Sequence, residues 1–373
     1  MQATDGLSMS PFDRLNSFLK QDPQNANLAA DTVEAAIAEE RLDEAQALLA
    51  HGPIDAPRAA YLNGLVAMGR QDWAGAAALY QGMFDTGETA PAIRFNLAWS
   101  LAMEKHAEQA LAVLDEATAQ ALPQAAELEI RLRHELGEFD RAEERAHALL
   151  SLHPDHRGLN AAVATLAIDV EDTALAARCA SKAGDHPEAL TTLGTLALES
   201  EDSATARALF AQALERDPQS PRALIGHGLS RLIDADHGGA AAELDRGAAL
   251  FGTHLGSWIA AGWAHFTAGD TAMARSRFEH ALGLDDSFAE SHGSLAALDV
   301  LEGDLDGARR RIVIARRLDR ASFSAALAEM LLAAGSGDTE RSRHIFETAL
   351  ATPLDASGRT LAQSFARLGA RLG

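Results

Sequence analysis

The chain is short of several things at once. Its 373 residues include one cysteine, three lysines, two tyrosines and four tryptophans, and aromatic residues make up only 5%. A lone cysteine, Cys179, excludes an internal disulfide and gives no argument for an oxidising compartment. It reads as a small buried apolar residue. Basic residues are also scarce, 32 against 54 acidic, for a formal net charge of −22. Such a body repels nucleic acid and anionic membrane surfaces, so neither is expected as a partner. No apolar run suits a membrane span. The richest window, 247–266, contains His254, His265 and a loop between Gly252 and Gly256. The N-terminus, "MQATDGLSMSPFDRLNSFLK", lacks the basic start and apolar stretch of a signal peptide. The expected compartment is the cytoplasm, with the periplasm as the alternative if a leader has been removed.

Catalytic constellations are missing too. His147, His153 and His156 cluster in "HALLSLHPDH", but at spacings of six and three around a helix end. Without acids or cysteines at ligand spacing they do not suggest a metal site. No Gly-rich loop ends in Gly-Lys-Ser/Thr, and no nucleophilic serine elbow or Cys-His arrangement stands out. No enzymatic activity, metal or cofactor is expected.

What is present is alanine and a period. Hydrophobic residues make up 47% of the chain. An alanine-rich, aromatic-poor composition favours closely packed helices, because alanine is the best helix former. The set Gly262, Ala274, Phe278, Ala281 recurs with identical spacing as Gly194, Ala206, Phe210, Ala213 and as Gly228, Ala240, Leu244, Gly247. It recurs again as Ala296, Ala308, Ile312, Ala315. Upstream come Gly64, Ala76 and Tyr80, then Ala98, Ala110 and Leu114, then Ile130 and Ala142. The small residue opening each second helix falls at 206, 240, 274, 308 and 342, steps of 34 residues. A fixed period of this length signals a repeat architecture.

Each copy reads as a helix, a turn and a second helix. The turns are "MGRQD" at 68–72, "LGEFD" at 136–140, "AGD" at 268–270, "EGD" at 302–304 and "SGD" at 336–338. Glycine is expected to end the first helix in a left-handed conformation, and aspartate to cap the next. The small residue of the first helix is expected to face alanine of the second where the two axes approach.

The best copies are "SWIAAGWAHFTAGDTAMARSRFEHALGLDD" (257–286) and "ALTTLGTLALESEDSATARALFAQALERDP" (189–218), with "AIRFNLAWSLAMEKHAEQALAVLDEA" (92–117) close behind. In these positions the chain resembles the tetratricopeptide repeat (TPR) family over about residues 26–350. The resemblance implies an all-α, right-handed superhelical solenoid of nine to ten antiparallel helix pairs. Residues 1–25 read as an extension with a short helix, 26–155 as a first array and 186–350 as a second. Residues 156–185 lack the usual aromatic and shorten the period, so they are either a hinge or an irregular unit of a continuous stack. Residues 351–373 read as a capping helix, since terminal repeats need a solvent-compatible face.

The resemblance further implies that first helices line a concave inner surface. There, a second apolar stripe runs beside the packing stripe: Ile259, Trp263 and Phe266 in one copy, Ile225, Leu229 and Leu232 in the one before. Upstream stand Tyr61 and Leu65, then Phe95 and Trp99, with Asn96 beside them. A helix apolar on two faces is either packed on both or binds something. Both readings stay open at this stage. The functional one is a groove for a peptide or amphipathic helix. Trp99 and Trp263 are its foremost anchors, because tryptophan is a preferred contact residue. Recognition of a peptide's terminal carboxylate is not expected, since Asn96 has no basic companions.

The one basic concentration is "RRRIVIARRLDR" at 309–320. Arg309, Arg316 and Arg320 share a helical stripe, with Arg310 and Arg317 alongside. On a second helix this run should face outward. It reads as a solvated face paired with nearby acids, or as a dock for an acidic partner or another copy of the chain. The expected function is a non-enzymatic adaptor, scaffold or chaperone-like module for a protein or peptide partner. The alternatives are the non-catalytic arm of an enzyme system, such as a glycosyl- or sulfo-transferase, and a peptide-sensing regulator.

Overall fold

The computed structural model describes residues 9–351, and all regular structure among them is α-helical. They divide into two compact units between Leu175 and Ala176. The first begins with α1 (Pro11–Leu19), followed by the pairs α2 (Ala26–Ala38) with α3 (Leu42–His51), and α4 (Ala56–Gly69) with α5 (Trp73–Asp85). Next come α6 (Pro91–Met103), α7 (Ala107–Val113) and α8 (Glu116–Ala121), then α9 (Pro123–Glu135) with α10 (Phe139–Leu152), and α11 (Arg157–Asp169). The division falls inside α12 (Thr173–Ala183).

The second unit is more regular. It contains α13 (Pro187–Glu199) with α14 (Ser203–Arg216), and α15 (Pro221–Ile233) with α16 (His237–Phe251). These are followed by α17 (Leu255–Thr267) with α18 (Thr271–Leu284), α19 (Ala289–Glu302) with α20 (Leu305–Leu318), and α21 (Phe323–Gly335) with α22 (Thr339–Ala351). Ten turns between first and second helices are therefore described. The capping helix expected over 351–373 lies outside the described residues beyond Ala351.

One left-handed residue marks each turn. It falls at 40, 71, 105, 137, 171, 201, 235, 269, 303 and 337, so that from 201 onward the step is a constant 34. Six of these are not glycine: Glu40, Gln71, Lys105, Glu171, Glu201 and Ala235. Each accepts about 1 kcal/mol of backbone strain. What the turn gains is visible at the next residue. Asp72, Asp172, Asp202, Asp236, Asp270, Asp304 and Asp338 each accept a hydrogen bond from the backbone N–H three residues on, at 2.8–3.2 Å. The same aspartates can donate their own N–H backwards, as Asp270 does to the His265 carbonyl at 2.9 Å. The turn thus satisfies groups at both helix ends.

Two turn expectations need correction. In "MGRQD" the left-handed residue is Gln71, while Gly69 is still helical, with Leu42 packed where its side chain would be. In "LGEFD" Gly137 is left-handed as expected, but Glu138 occupies the cap without a side-chain bond, and Asp140 lies inside α10. The second helix of the 92–117 copy also breaks, at Leu114. There Arg94 donates to the Val113 carbonyl (3.2 Å), and Asp115 caps a separate α8 by accepting from Thr118 N–H.

The small residue of the first helix makes room for a ring more than for a second alanine. A Cβ on Gly262 would lie 2.3 Å from the Phe278 ring, on Gly64 2.4 Å from Tyr80, and on Gly194 2.8 Å from Phe210. Where the second helix supplies an aliphatic chain, alanine fits: Ala98 shares a buried cluster with Leu114, and Ala296 with Ile312. Gly228 against Leu244 is the exception. Volume is conserved across the pair, as close packing requires.

At the start of the chain, α1 covers the first pair. Phe12 is buried there, its N–H donates to Glu39 (2.8 Å), and the Arg41 guanidinium stacks 4.0 Å from its ring.

Candidate binding face

Within the second unit, α15 and α17 present the second apolar stripe in register: 225 with 259, 229 with 263, and 232 with 266. Ile225, Leu229 and Leu232 are half-buried against the cluster of Ala241, Leu244, Ala261 and Ala264. Trp263 is half-buried too. Its ring lies 5.2 Å from Phe278 and 5.5 Å from Phe266, and it also packs on the cluster containing Ala296, Ala297 and Ile312. Its indole N–H has no hydrogen-bond partner among the described residues. Trp258, on the packing stripe, differs in this respect: its Nε1–H donates to the Gly252 carbonyl at 2.7 Å. Ile259 is only 9% exposed, which makes it a support of the face rather than a contact.

The sequence reasoning did not follow the stripe into the next two copies. The same spacing leads to Gly293, Ala297 and Val300 on α19 and to Leu327, Leu331 and Ala334 on α21. On α19 the face closes at Gly293 and Ala297, which are buried, whereas Leu327 and Leu331 on α21 are half-buried again. A Cβ on Gly293 would lie 2.5 Å from the backbone nitrogen of Ala325. Ser294 Oγ donates to Ser324 Oγ (3.1 Å), and Glu290 accepts from the Phe323 and Ser324 N–H groups that open α21. A glycine and a serine at these positions let the two first helices meet backbone to backbone.

In the first unit, Tyr61 stands edge-on to Tyr80 at 5.9 Å, and Phe95 lies 6.0 Å from Trp99. All three candidates are half-buried, and the Trp99 indole N–H likewise has no partner among the described residues. Asn96 is buried, and its amide donates to the Tyr80 hydroxyl at 3.2 Å, which in turn donates to the Tyr61 carbonyl. Asn96 is therefore occupied inside the repeat. Burial of the Tyr80 phenol raises its pKa above the ordinary value.

Charge is kept behind these faces. Asp245 on α16 accepts two bonds from Arg277 (2.7 and 2.8 Å) and one from His265 Nε2 (2.9 Å). Burial pushes the Asp245 carboxyl upward, but the Arg277 and His265 bonds outweigh it and hold the pKa below the usual carboxylate range. His227 Nδ1 meets Glu243 at 2.7 Å, and Glu129 in the first unit is held by Arg133 and Arg145. His153 bonds the Ala119 carbonyl, and His156 caps α11. His153 and His156 thus serve helix ends, His147 is exposed along α10, and no group of three potential metal ligands occurs among the described residues. None of the described helices is long and apolar enough to cross a membrane.

The arginine run divides. Arg309 pairs with Asp306 (2.8 Å). Arg316 does not share an outward stripe with it: it turns back to hold Glu329 with two nitrogens and also donates to the Arg320 and Ser322 carbonyls. Glu329, a charged residue on a first helix, is thereby neutralised. Arg310 and Arg317 are exposed on the outer side of α20, and Arg320 lies beyond the helix end.

Among solved structures, a monomeric mutant of IFIT1 with m7Gppp-AAAA is similar at TM-score 0.55 and 13% identity, covering 92% of this chain and 95% of that one. The Cut9–Hcn1 hetero-tetramer of the APC/C is similar at 0.51 and 14%, covering 93% and 85%. This chain has the tetratricopeptide-repeat fold. At such identities the TPR likeness establishes architecture alone. No family model matches the sequence, and no curated protein matches it either.

Proposed function

We propose that this TPR chain is a non-enzymatic interaction scaffold that holds a peptide or amphipathic helix on the face formed by α15 and α17. Ile225, Leu229, Trp263 and Phe266 make the contact, with Ile259 supporting them from below. Tyr61, Phe95 and Trp99 form a comparable apolar surface on the first unit. The observation that carries the reading is Trp263: a half-buried indole with an unpartnered N–H, set among apolar residues that recur in register one repeat away. An aromatic anchor with one polar handle is typical of interface hot spots. The IFIT1 structure holds a capped oligonucleotide. A net charge of −22 disfavours such a ligand here.

The test is selection of binders from a displayed peptide library against the full chain, followed by titration of the best peptide. Trp263→Ala is expected to weaken binding about tenfold or more, with far-UV circular dichroism unchanged. Equal affinity for wild type and Trp263→Ala would remove α17 from the site.

A further inference from the structure

The outer side of α20 departs from the repeat. At the place of Val313, the two preceding second helices carry Glu279 and Asp245; at the place of Ile314 they carry His280 and Arg246. Packing of the repeat therefore does not ask for aliphatic residues there. Val313 is nonetheless 50% exposed and Ile314 41%, with Leu318 exposed one turn further on. Val313 also edges a groove of about 470 Å³ lined by Ile312, Leu332, Arg309, Arg341 and Glu329, the last already paired with Arg316. Arg310 and Arg317 bracket the aliphatic pair one turn before and one turn after. Neither they nor Arg320 make an ion pair among the described residues. On the same helix Arg311 and Arg316 are held by Asp299 and Glu329 at 2.9 and 3.0 Å. Three guanidiniums without an acid, set around exposed aliphatics in a chain of net charge −22, form a local reversal of sign.

We propose that the outer face of α20 docks an acidic amphipathic segment of a partner protein. The partner's apolar side chains cover Val313, Ile314 and Leu318, and its carboxylates pair with Arg310, Arg317 and Arg320. Charge complementarity selects this occupant. The chain's own residues 352–373 carry Arg359, Arg367 and Arg371 against a single Asp355, the wrong sign for this face. The surface is independent of the α15–α17 face.

Fluorescence anisotropy on the full chain tests this, with a labelled peptide alternating Leu and Phe with Glu, beside a counterpart carrying Lys for Glu. The Glu peptide binds, and added salt weakens it. Arg310→Glu combined with Arg317→Glu reduces affinity about tenfold or more. Val313→Ser combined with Ile314→Ser reduces it as well, while circular dichroism and melting stay unchanged because these side chains are exposed. No binding of the Glu peptide, equal binding of the Lys peptide, or indifference to charge reversal would overturn the proposal. A wild-type dimer in sedimentation velocity that the double arginine reversal dissolves assigns the face to a second copy instead. Binding that appears only with Phe365→Asp assigns it to the chain's own 352–373 segment. Either result also overturns it.

Discussion

Two neighbouring junctions of the second unit solve one problem in opposite ways. Between α17 and α19, the space is filled by side chains: Trp263 and Ile259 pack with Leu295 and Leu298, and Trp263 keeps one side open. Between α19 and α21, Gly293 and Ser294 remove the side chains and the backbones meet, leaving Ala297, the α19 equivalent of Trp263, buried. The same register position is thus a filled gap in one repeat and a closed seam in the next. The apolar face is interrupted on α19 where the residues become small and reappears at the half-buried Leu327 and Leu331 of α21, so the interruption is set by residue size.

The strongest way to break this contrast is to fill the seam. Gly293→Val pushes a branched side chain into the Ala325 backbone, which cannot rotate away as a side chain would. The expected loss is more than about 3 kcal/mol, seen as a lowered denaturant midpoint. A midpoint within error of wild type would mean that the seam is not close-packed. Next in size is Gly262→Ala, which drives a methyl into the Phe278 ring. Alanine gains about 1 kcal/mol of helix propensity, yet overpacking costs about 1–3 kcal/mol, for a net destabilisation. Phe278→Ile in the same chain should recover most of it, because alanine already faces isoleucine at Ala296 and Ile312. A double-mutant cycle measures the coupling, and strict additivity would refute the volume rule.

Asp245 sharpens the comparison from behind, since it ties α16 to α17 and α18 but has no part in the seam. Its pKa is lowered on folding, so its contribution is present above the unfolded value of 3.8 and is lost as pH falls through the folded value. Acid should therefore loosen amides of α16–α18 before those of α19 and α21 in hydrogen exchange, and Asp245→Asn should abolish that difference. At neutral pH the same substitution costs about 1.5–3 kcal/mol, the range for a hydrogen bond to a charged group. The smallest effect is expected at Val313→Ser, within about 0.5 kcal/mol, as for an exposed position outside the core. A larger loss would show that α20 packs where it is described as free.

The sequence alone determined the repeat. Small residues, rings and aspartate caps recur at fixed spacing because each helix pair must solve the same local problem: close a turn and fit a ring against a small residue. That pattern was legible in Gly262, Phe278 and Asp270 with no knowledge of the third dimension. It also located the second apolar stripe at Ile225 and Trp263. Other features depended on partners some 12 to 34 positions away, which no periodicity announces. Asn96 looked like a contact residue until Tyr80, on the preceding helix, took its amide. Arg316 looked like part of an outer stripe until Glu329 drew it back. Gln71 took the left-handed position that Gly69 was expected to fill, because the turn is set by where the capping aspartate must sit. Gly293 was silent in sequence, since a glycine in a helix does not say whether a ring or a backbone will approach it. Local geometry repeats and can be read along the chain, whereas the burial that decides which faces stay open arises only once successive helix pairs are stacked.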